Sequence, residues 1–233
     1  MFALTDGEHL ALLPSAQDHK RIGEGDTGPN TGGMGAYSPV SIATPELLNR
    51  VEAAILKPTL RAMAERGTPY KGMLYAGLMI REDGTPSVVE FNCRFGDPEA
   101  QVVLPLLGDG IEQALWAIAA GEAWQLADPV DKARAAVTTV IAAPGYPDAP
   151  KKGAEISLAG DTGPDGLLFH GGTVLESGRL RVSGGRVLSA TGLGADVAAA
   201  HAASLDLVCR ITFEGMVYRR DIAWRELARA RAS

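Results

Sequence analysis

Short apolar runs broken by glycine turns dominate this chain, and only a few stretches keep the spacing of a helix. Phe2–Thr5 and residues 9–13 flank Asp6-Gly7, which predicts a β-hairpin at the start of the chain. A domain that opens inside a hairpin is expected to be part of something larger. Residues 18–37 carry Gly23, Gly25, Gly28, Gly32, Gly33 and Gly35 and predict a long loop. Thr44-Pro45-Glu46 then reads as a helix N-cap, a proline in the first turn and an acid that suits the helix dipole. Leu47, Val51, Ala54, Ile55, Leu60 and Met63 continue that helix towards Gly67, with Pro58 expected to kink or split it.

Residues 73–80 and 88–93 predict a second hairpin, turning over residues 82–86. Asp97-Pro98-Glu99 reads as another helix start, and a further helix is expected over Ile111–Ala120, ending at Gly121. The character changes at residues 127–133, around Asp128-Pro129, and the remainder is rich in strands. Residues 137–143 predict a buried strand. Arg179–Val182 and residues 186–190 predict a hairpin across Ser183-Gly184-Gly185, and residues 195–208 an alanine-rich helix. The pattern is that of an α+β chain with two domains, 1–130 and 131–233.

Composition narrows the function without naming it. Of 233 residues, 46% are apolar and 21% charged, which is ordinary for a globular protein. The net charge of −6 and the lack of a basic run give no footprint for nucleic acid. Cys93 and Cys209 belong to no CxxC or Cys/His spacing, which argues against zinc and a disulfide scaffold and suits a reducing compartment. No signal-peptide pattern and no membrane-length apolar run occur, so a cytoplasmic protein without a membrane partner is expected. The chain has no GxSxG elbow, HExxH pair or Rossmann glycine pattern.

Candidate chemistry concentrates in residues 88–99. On a strand, side chains two apart share a face, so Glu90, Asn92 and Arg94 are expected to project together while Val89, Phe91 and Cys93 face the core. Glu90 and Asn92 offer hard oxygen ligands suited to Mg²⁺, and Arg94 offers paired donors for a phosphoryl or carboxylate group. The plainer reading is the solvated face of an edge strand. A helix N-terminus at Gly96-Asp97-Pro98-Glu99 would be an anion site or simply a capped helix. The glycine loop, including Asp26, Asn30, Thr31, Gly32 and Gly33, either cradles anions with its backbone or is an ordinary long loop; it is not a Walker A loop. Asp18-His19-Lys20-Arg21 is either a surface charge pair or a cationic cluster for phosphates. His170 has no visible nucleophile or acid partner and reads as structural.

Several motifs together resemble one family. Arg94-Phe95-Gly96-Asp97-Pro98-Glu99-Ala100-Gln101, preceded by Val89-Glu90-Phe91-Asn92-Cys93, is similar to the signature of the glycinamide ribonucleotide synthetases. Gln17-Asp18-His19-Lys20-Arg21, residues 26–37 and Leu74-Tyr75-Ala76-Gly77-Leu78-Met79 resemble the same family. So do Phe169-His170-Gly171-Gly172-Thr173, Gly184-Gly185-Arg186-Val187-Leu188 and Arg220-Asp221-Ile222-Ala223-Trp224-Arg225.

The resemblance implies part of an ATP-grasp ligase domain over residues 1–130, an antiparallel sheet with packed helices. A smaller strand-rich C-terminal domain over 131–233 would follow it. It further implies ATP, glycine and 5-phosphoribosylamine as substrates, with Mg²⁺ or Mn²⁺ held by Glu90 and Asn92. Arg94 would lie beside the transferred group and Lys20 would stabilise an acyl phosphate. Asp26, Asn30, Thr31, Gly32, Gly33 and Asp97 would wall the substrate site. Family members carry an N-terminal domain and an ATP-closing lobe that this sequence lacks. The chain is therefore expected to be inactive alone: a truncated ligase, one half of a split ligase needing an N-terminal partner, or a non-catalytic scaffold.

Overall fold

The computed structural model describes residues 1–124 and 134–232, so the composition change at residues 127–133 and the expected domain boundary lie outside the described residues. Strands β1 (Phe2–Thr5) and β2 (Leu10–Leu12) open the chain, followed by β3 (Gln17–Asp18), β4 (Arg21–Gly23), β5 (Thr27–Asn30) and β6 (Gly35–Ser38). Helices α1 (Pro45–Val51) and α2 (Lys57–Glu65) precede β7 (Gly72–Ile80) and β8 (Pro86–Asn92). Next come α3 (Ala100–Val103), α4 (Ile111–Ala120), β9 (Ala135–Ala142), β10 (Ser157–Leu158) and β11 (Gly166–His170). The chain ends through β12 (Thr173–Glu176), β13 (Arg179–Val182), β14 (Arg186–Gly194), α5 (Val197–Val208), β15 (Ile211–Thr212) and α6 (Trp224–Ala232).

Two compact units result, and they are not consecutive stretches. One comprises Met1–Ser15, Val40–Gly96 and the chain from Leu106; the other comprises Ala16–Pro39, Asp97–Pro105 and the C-terminal part. Among the described residues every strand pairing is antiparallel.

The first unit is a four-stranded sheet in the order β2-β1-β7-β8. Its first hairpin turns where Asp6 accepts the backbone N–H groups of Glu8 and His9 at 2.8 and 2.7 Å, and Gly7 adopts φ +101°. The Thr44 hydroxyl caps α1 by accepting from Leu47 N–H at 3.3 Å. Pro58 splits the helix as its missing N–H predicts: Glu52–Leu56 widens to a π-turn, with Lys57 N–H donating to Glu52 O. Val51, Leu56 and Leu60 bury against Ala3, Leu74 and Ala76 of the central strands. Helix α4 spans the expected Ile111–Ala120 and ends at Gly121 with φ +74°.

The second unit is built on a five-stranded sheet, order β11-β14-β9-β6-β3. All eight residues of β9 are buried, including Thr138 and Thr139 in its middle. Helix α5, capped by Asp196, lies closely on the sheet. A methyl group at Gly192 would sit 2.2 Å from Ser204 N, so glycine on the strand and alanine on the helix together allow this approach. Ser204 fills its place in the contact with bonds of 2.8 Å to Ala190 O and Thr139 Oγ1.

Four expectations need correction. Arg179–Val182 pairs with β12, not with β14. Ser177 (φ +50°) and Gly178 (φ +76°) supply the two-residue turn that closes that hairpin, while β14 is drawn into the large sheet between β9 and β11. Residues 18–37 are not one loop: β4 and β5 form a ribbon turning at Gly25 and Asp26, both at positive φ. Asp97-Pro98-Glu99 starts only the single turn α3, which begins at Ala100 without a side-chain cap, because the Asp97 carboxylate is engaged elsewhere. Finally, Val89 is 66% exposed and Phe91 39% exposed, and Cys93 is also exposed, so these residues do not face a core. Strand β8 is the sheet edge, and the helices pack over the central strands instead.

Candidate active site

Glu90 and Asn92 stand on one face of β8, opposite Gly77 and Tyr75 of β7. The Glu90 side chain crosses Gly77, where an added methyl would meet its Cγ at 3.2 Å. On the same sheet, Tyr75 stacks on Phe2 with ring centroids 4.8 Å apart, and Phe2 meets Phe95 at 5.8 Å. Neither the Glu90 nor the Asn92 side chain has a hydrogen-bond partner among the described residues. Arg94 is exposed and donates to Phe95 O at 2.8 Å, which leaves most of its donors open. The sheet thus presents two neighbouring hard oxygen donors and a guanidinium. Among the described residues no cluster of three or more His, Cys, Asp or Glu occurs that would enclose a metal by itself. Two protein ligands, with phosphates and water completing the shell, is the arrangement Mg²⁺ favours.

The other expected residues lie in the second unit. Lys20 is half exposed and pairs with Asp18 at 2.5 Å. Asn30 pairs with Arg21 in the ribbon and is exposed. Thr31 donates its N–H and hydroxyl to Lys20 O at 2.7 and 2.8 Å, and its hydroxyl accepts from Gly33 N–H at 3.0 Å.

Asp26 is held from three sides. It accepts from Arg219 Nη1 at 2.9 Å, Trp224 Nε1 at 3.1 Å and Arg225 Nη2 at 2.7 Å. Arg219 is fully buried and also grips Asp221 through Nε and Nη2, both at 2.8 Å. Burial alone would raise the Asp26 and Asp221 carboxyls, but the Arg219 guanidinium overcomes it and holds both below their ordinary range. His19 beneath this cluster is 2% exposed. Burial first, and then the Arg219 charge, pushes it down to about 4, so its ring is neutral at pH 7.

A separate cleft of about 370 Å³ is lined by Asp97, Gln101, Phe169, His170, Gly171, Arg186, Leu188 and Ser189. Arg186 organises its floor. Its Nη1 donates to Gly32 O at 2.9 Å and Asp97 O at 2.8 Å, and its Nη2 donates to Asp97 Oδ2 at 3.1 Å. A methyl at Gly32 would touch the guanidinium at 3.1 Å, and one at Gly33 would lie 2.4 Å from Pro98 Cδ. Close packing and a φ of +119° require glycine at position 33, whereas at Gly32 the contact is with the movable end of Arg186. Sequence reasoning assigned no role to Arg186 or Gln101; Arg186 lies 154 residues from Gly32, and no local pattern joins them.

Residues 1–100 match the phosphoribosylglycinamide synthetase ATP-grasp (A) domain, and residues 136–225 match the C domain of the same synthetase. The chain belongs to this family. The phosphoribosylamine–glycine ligase of Synechocystis sp. is 49% identical over 228 residues, covering 97% of this chain and 54% of the relative. That of Pseudomonas aeruginosa is 45% identical over 229 residues, covering 98% and 53%. This synthetase-family chain therefore spans about half the length of the curated relatives it matches. The crystal structure of the Thermotoga maritima phosphoribosylamine–glycine ligase aligns with a TM-score of 0.85 at 38% identity, over 95% of this chain and 54% of that one. A biotin carboxylase domain from Hydrogenobacter thermophilus, solved with MgADP and bicarbonate, shares the fold with a TM-score of 0.64 at 16% identity, over 93% and 46%. The α+β expectation and the ATP-grasp resemblance thus hold. No described helix is long and apolar enough to cross a membrane.

Proposed function

We propose that this chain is the C-terminal portion of a phosphoribosylamine–glycine ligase, with residues 1–130 contributing to the ATP-grasp domain and 131–233 forming the C domain. The reaction joins glycine to 5-phosphoribosylamine. A glycine carboxylate oxygen attacks the γ-phosphorus of ATP, ADP leaves, and the amine nitrogen then attacks the acyl carbon and expels phosphate.

The observation that carries this reading is the unpartnered pair Glu90 and Asn92 on one strand face, in a chain of this family. These two side chains would hold Mg²⁺ or Mn²⁺, which neutralises charge on the ATP phosphates when bound. Arg94 provides a cation beside the transferred phosphoryl group. Lys20 provides a second, exposed cation for the acyl phosphate. Asn30, Thr31, Gly32, Gly33 and Asp97 wall the substrate site, while Asp26 shapes it through its bonds to Arg219, Trp224 and Arg225. The matched relatives are about twice this length, and the half of them outside the match would supply the rest of the nucleotide clamp.

ADP release tests the proposal, with ATP, glycine and phosphoribosylamine offered to this chain, to the N-terminal half of the Synechocystis relative, and to their mixture. Turnover only in the mixture, abolished by Glu90→Ala, is expected. Silence in the mixture with both partners folded and bound to each other would make the chain a scaffold. Full activity of Glu90→Ala would overturn the metal assignment.

A further inference from the structure

Two adjacent glycines keep one conformation on an exposed wall only if their peptide groups are tied down, because glycine has the widest backbone freedom of any residue. The Gly32-Gly33 pair is tied from both directions. On one side Thr31 bonds Lys20 O through its N–H and its hydroxyl, and that hydroxyl accepts the Gly33 N–H at 3.0 Å. On the other side, two residues far along the chain hold the peptide groups of the exposed Gly32. Arg186 Nη1 donates to Gly32 O at 2.9 Å. Gly32 N–H donates to the hydroxyl of Tyr146, 114 residues away, at 2.9 Å.

Packing holds that hydroxyl in place. Gly145 turns the chain at φ +87°, and the turn closes through Ala149 N–H to Gly145 O at 2.8 Å and Lys151 N–H to Pro144 O at 2.9 Å. A methyl on Gly145 would lie 2.3 Å from Ala149 O, so the turn needs glycine there. The half-buried Tyr146 ring lies against Gly185, where a methyl would meet Cδ2 at 2.5 Å. Ala143 N–H donates to Gly185 O at 2.8 Å and joins the end of β9 to the start of β14 beneath the ring. Both strands belong to the compact unit that also carries Gly32.

We propose that Tyr146 is a positioning residue of the ligase, whose hydroxyl sets the direction of the Gly32 peptide and with it the shape of the wall that the substrates meet. It acts through Gly32 and transfers no proton. Without the hydroxyl the Gly32 N–H turns to solvent, one tether of the glycine pair is lost, and the wall samples conformations that leave the reacting groups misplaced. The inference rests on the ligase reading and adds a residue that the reading leaves without a role.

Tyr146→Phe removes the hydroxyl and keeps the ring on Gly185, whereas Tyr146→Ala removes both. Each variant is mixed with the N-terminal half of the Synechocystis relative and compared with the parent mixture for ADP release. Melting temperature and hydrogen exchange of the Gly32 amide are measured on the chains alone. Tyr146→Phe is expected to melt within a few degrees of the parent and to exchange the Gly32 amide several-fold faster. Its kcat should fall about tenfold with the KM for ATP unchanged, since misplaced reacting groups cost rate rather than nucleotide binding. Tyr146→Ala should lose rate and also melt lower. Parental kcat in Tyr146→Phe, or parental exchange at Gly32, would overturn the proposal. So would a Tyr146→Phe that melts as low as Tyr146→Ala, because the hydroxyl would then serve folding. Silence of the parent mixture defeats the ligase reading and Tyr146's part in it together; equal release by parent and Tyr146→Phe mixtures defeats this inference alone.

Discussion

Arg219→Met is the substitution whose cost can be worked most directly from the structure. The guanidinium is fully buried and makes bonds of 2.8 Å and 2.8 Å to Asp221, 2.9 Å to Asp26 and 3.0 Å to Arg21 O. Methionine fills similar space without a donor, so both carboxylates lose their main counter-charge. Asp26 keeps Arg225 and Trp224, and Asp221 keeps the Gly25 N–H at 2.7 Å. Removing one partner of a buried ion pair costs about 3–5 kcal/mol. The Asp26 and Asp221 side chains retain 20% and 22% exposure, which places the expected loss at the low end, about 3 kcal/mol. For a chain of this size that is a fall of roughly 6–12 °C in melting temperature.

Urea unfolding followed by circular dichroism measures the loss, and its pH dependence gives a second signature. Both carboxyls are depressed in the fold, so the stability they contribute is complete above their ordinary value of 3.8 and is lost as pH falls through the folded value. Without Arg219 that acid-side loss should shrink. A variant within about 1 kcal/mol of the parent at pH 7, a change that ordinary surface substitutions rarely exceed, or one with an unchanged acid limb, would refute the reasoning.

Two further outcomes follow from the same geometry. His19 sits at about 4 against an ordinary 6.5, so on acidification the unfolded chain takes up the proton first. Stability present above pH 6.5 should fall by about 3 kcal/mol between pH 6.5 and 4, at 1.36 kcal/mol per unit, and His19→Gln should flatten that slope. The exposed His9, raised by its bond to Asp6, acts in the opposite sense, so the difference between parent and variant is the quantity to compare. Gly33→Ala should lose about 2–4 kcal/mol through left-handed backbone strain and the 2.4 Å approach to Pro98, read by thermal melting; a loss below about 0.5 kcal/mol would show that the turn relaxes freely.

Much of the local structure was legible in the chain itself. Asp6-Gly7 announced the first hairpin, Thr44-Pro45 the helix start, Pro58 its interruption and Gly121 the end of α4. The alternation around Glu90 and Asn92 placed both oxygens on one face, because strand side chains repeat every two residues whatever surrounds them. The family likeness was legible for a similar reason, since it rests on short contiguous motifs.

What needed the tertiary structure was every choice among partners. Residues 179–182 carry no mark that says β12 rather than β14; the turn at Ser177-Gly178 and the pull of β14 into the large sheet decided it. The same alternation that placed Glu90 outward also sent Val89 and Phe91 inward by expectation, and the edge position of β8 left them exposed. The approach of Arg186 to Gly32 and of Pro98 to Gly33 left no mark in the local sequence either. A sequence records the periodicity of its own elements, whereas the partner that satisfies an arginine or fills the space beside a glycine comes from residues far along the chain and is selected only when the sheets assemble.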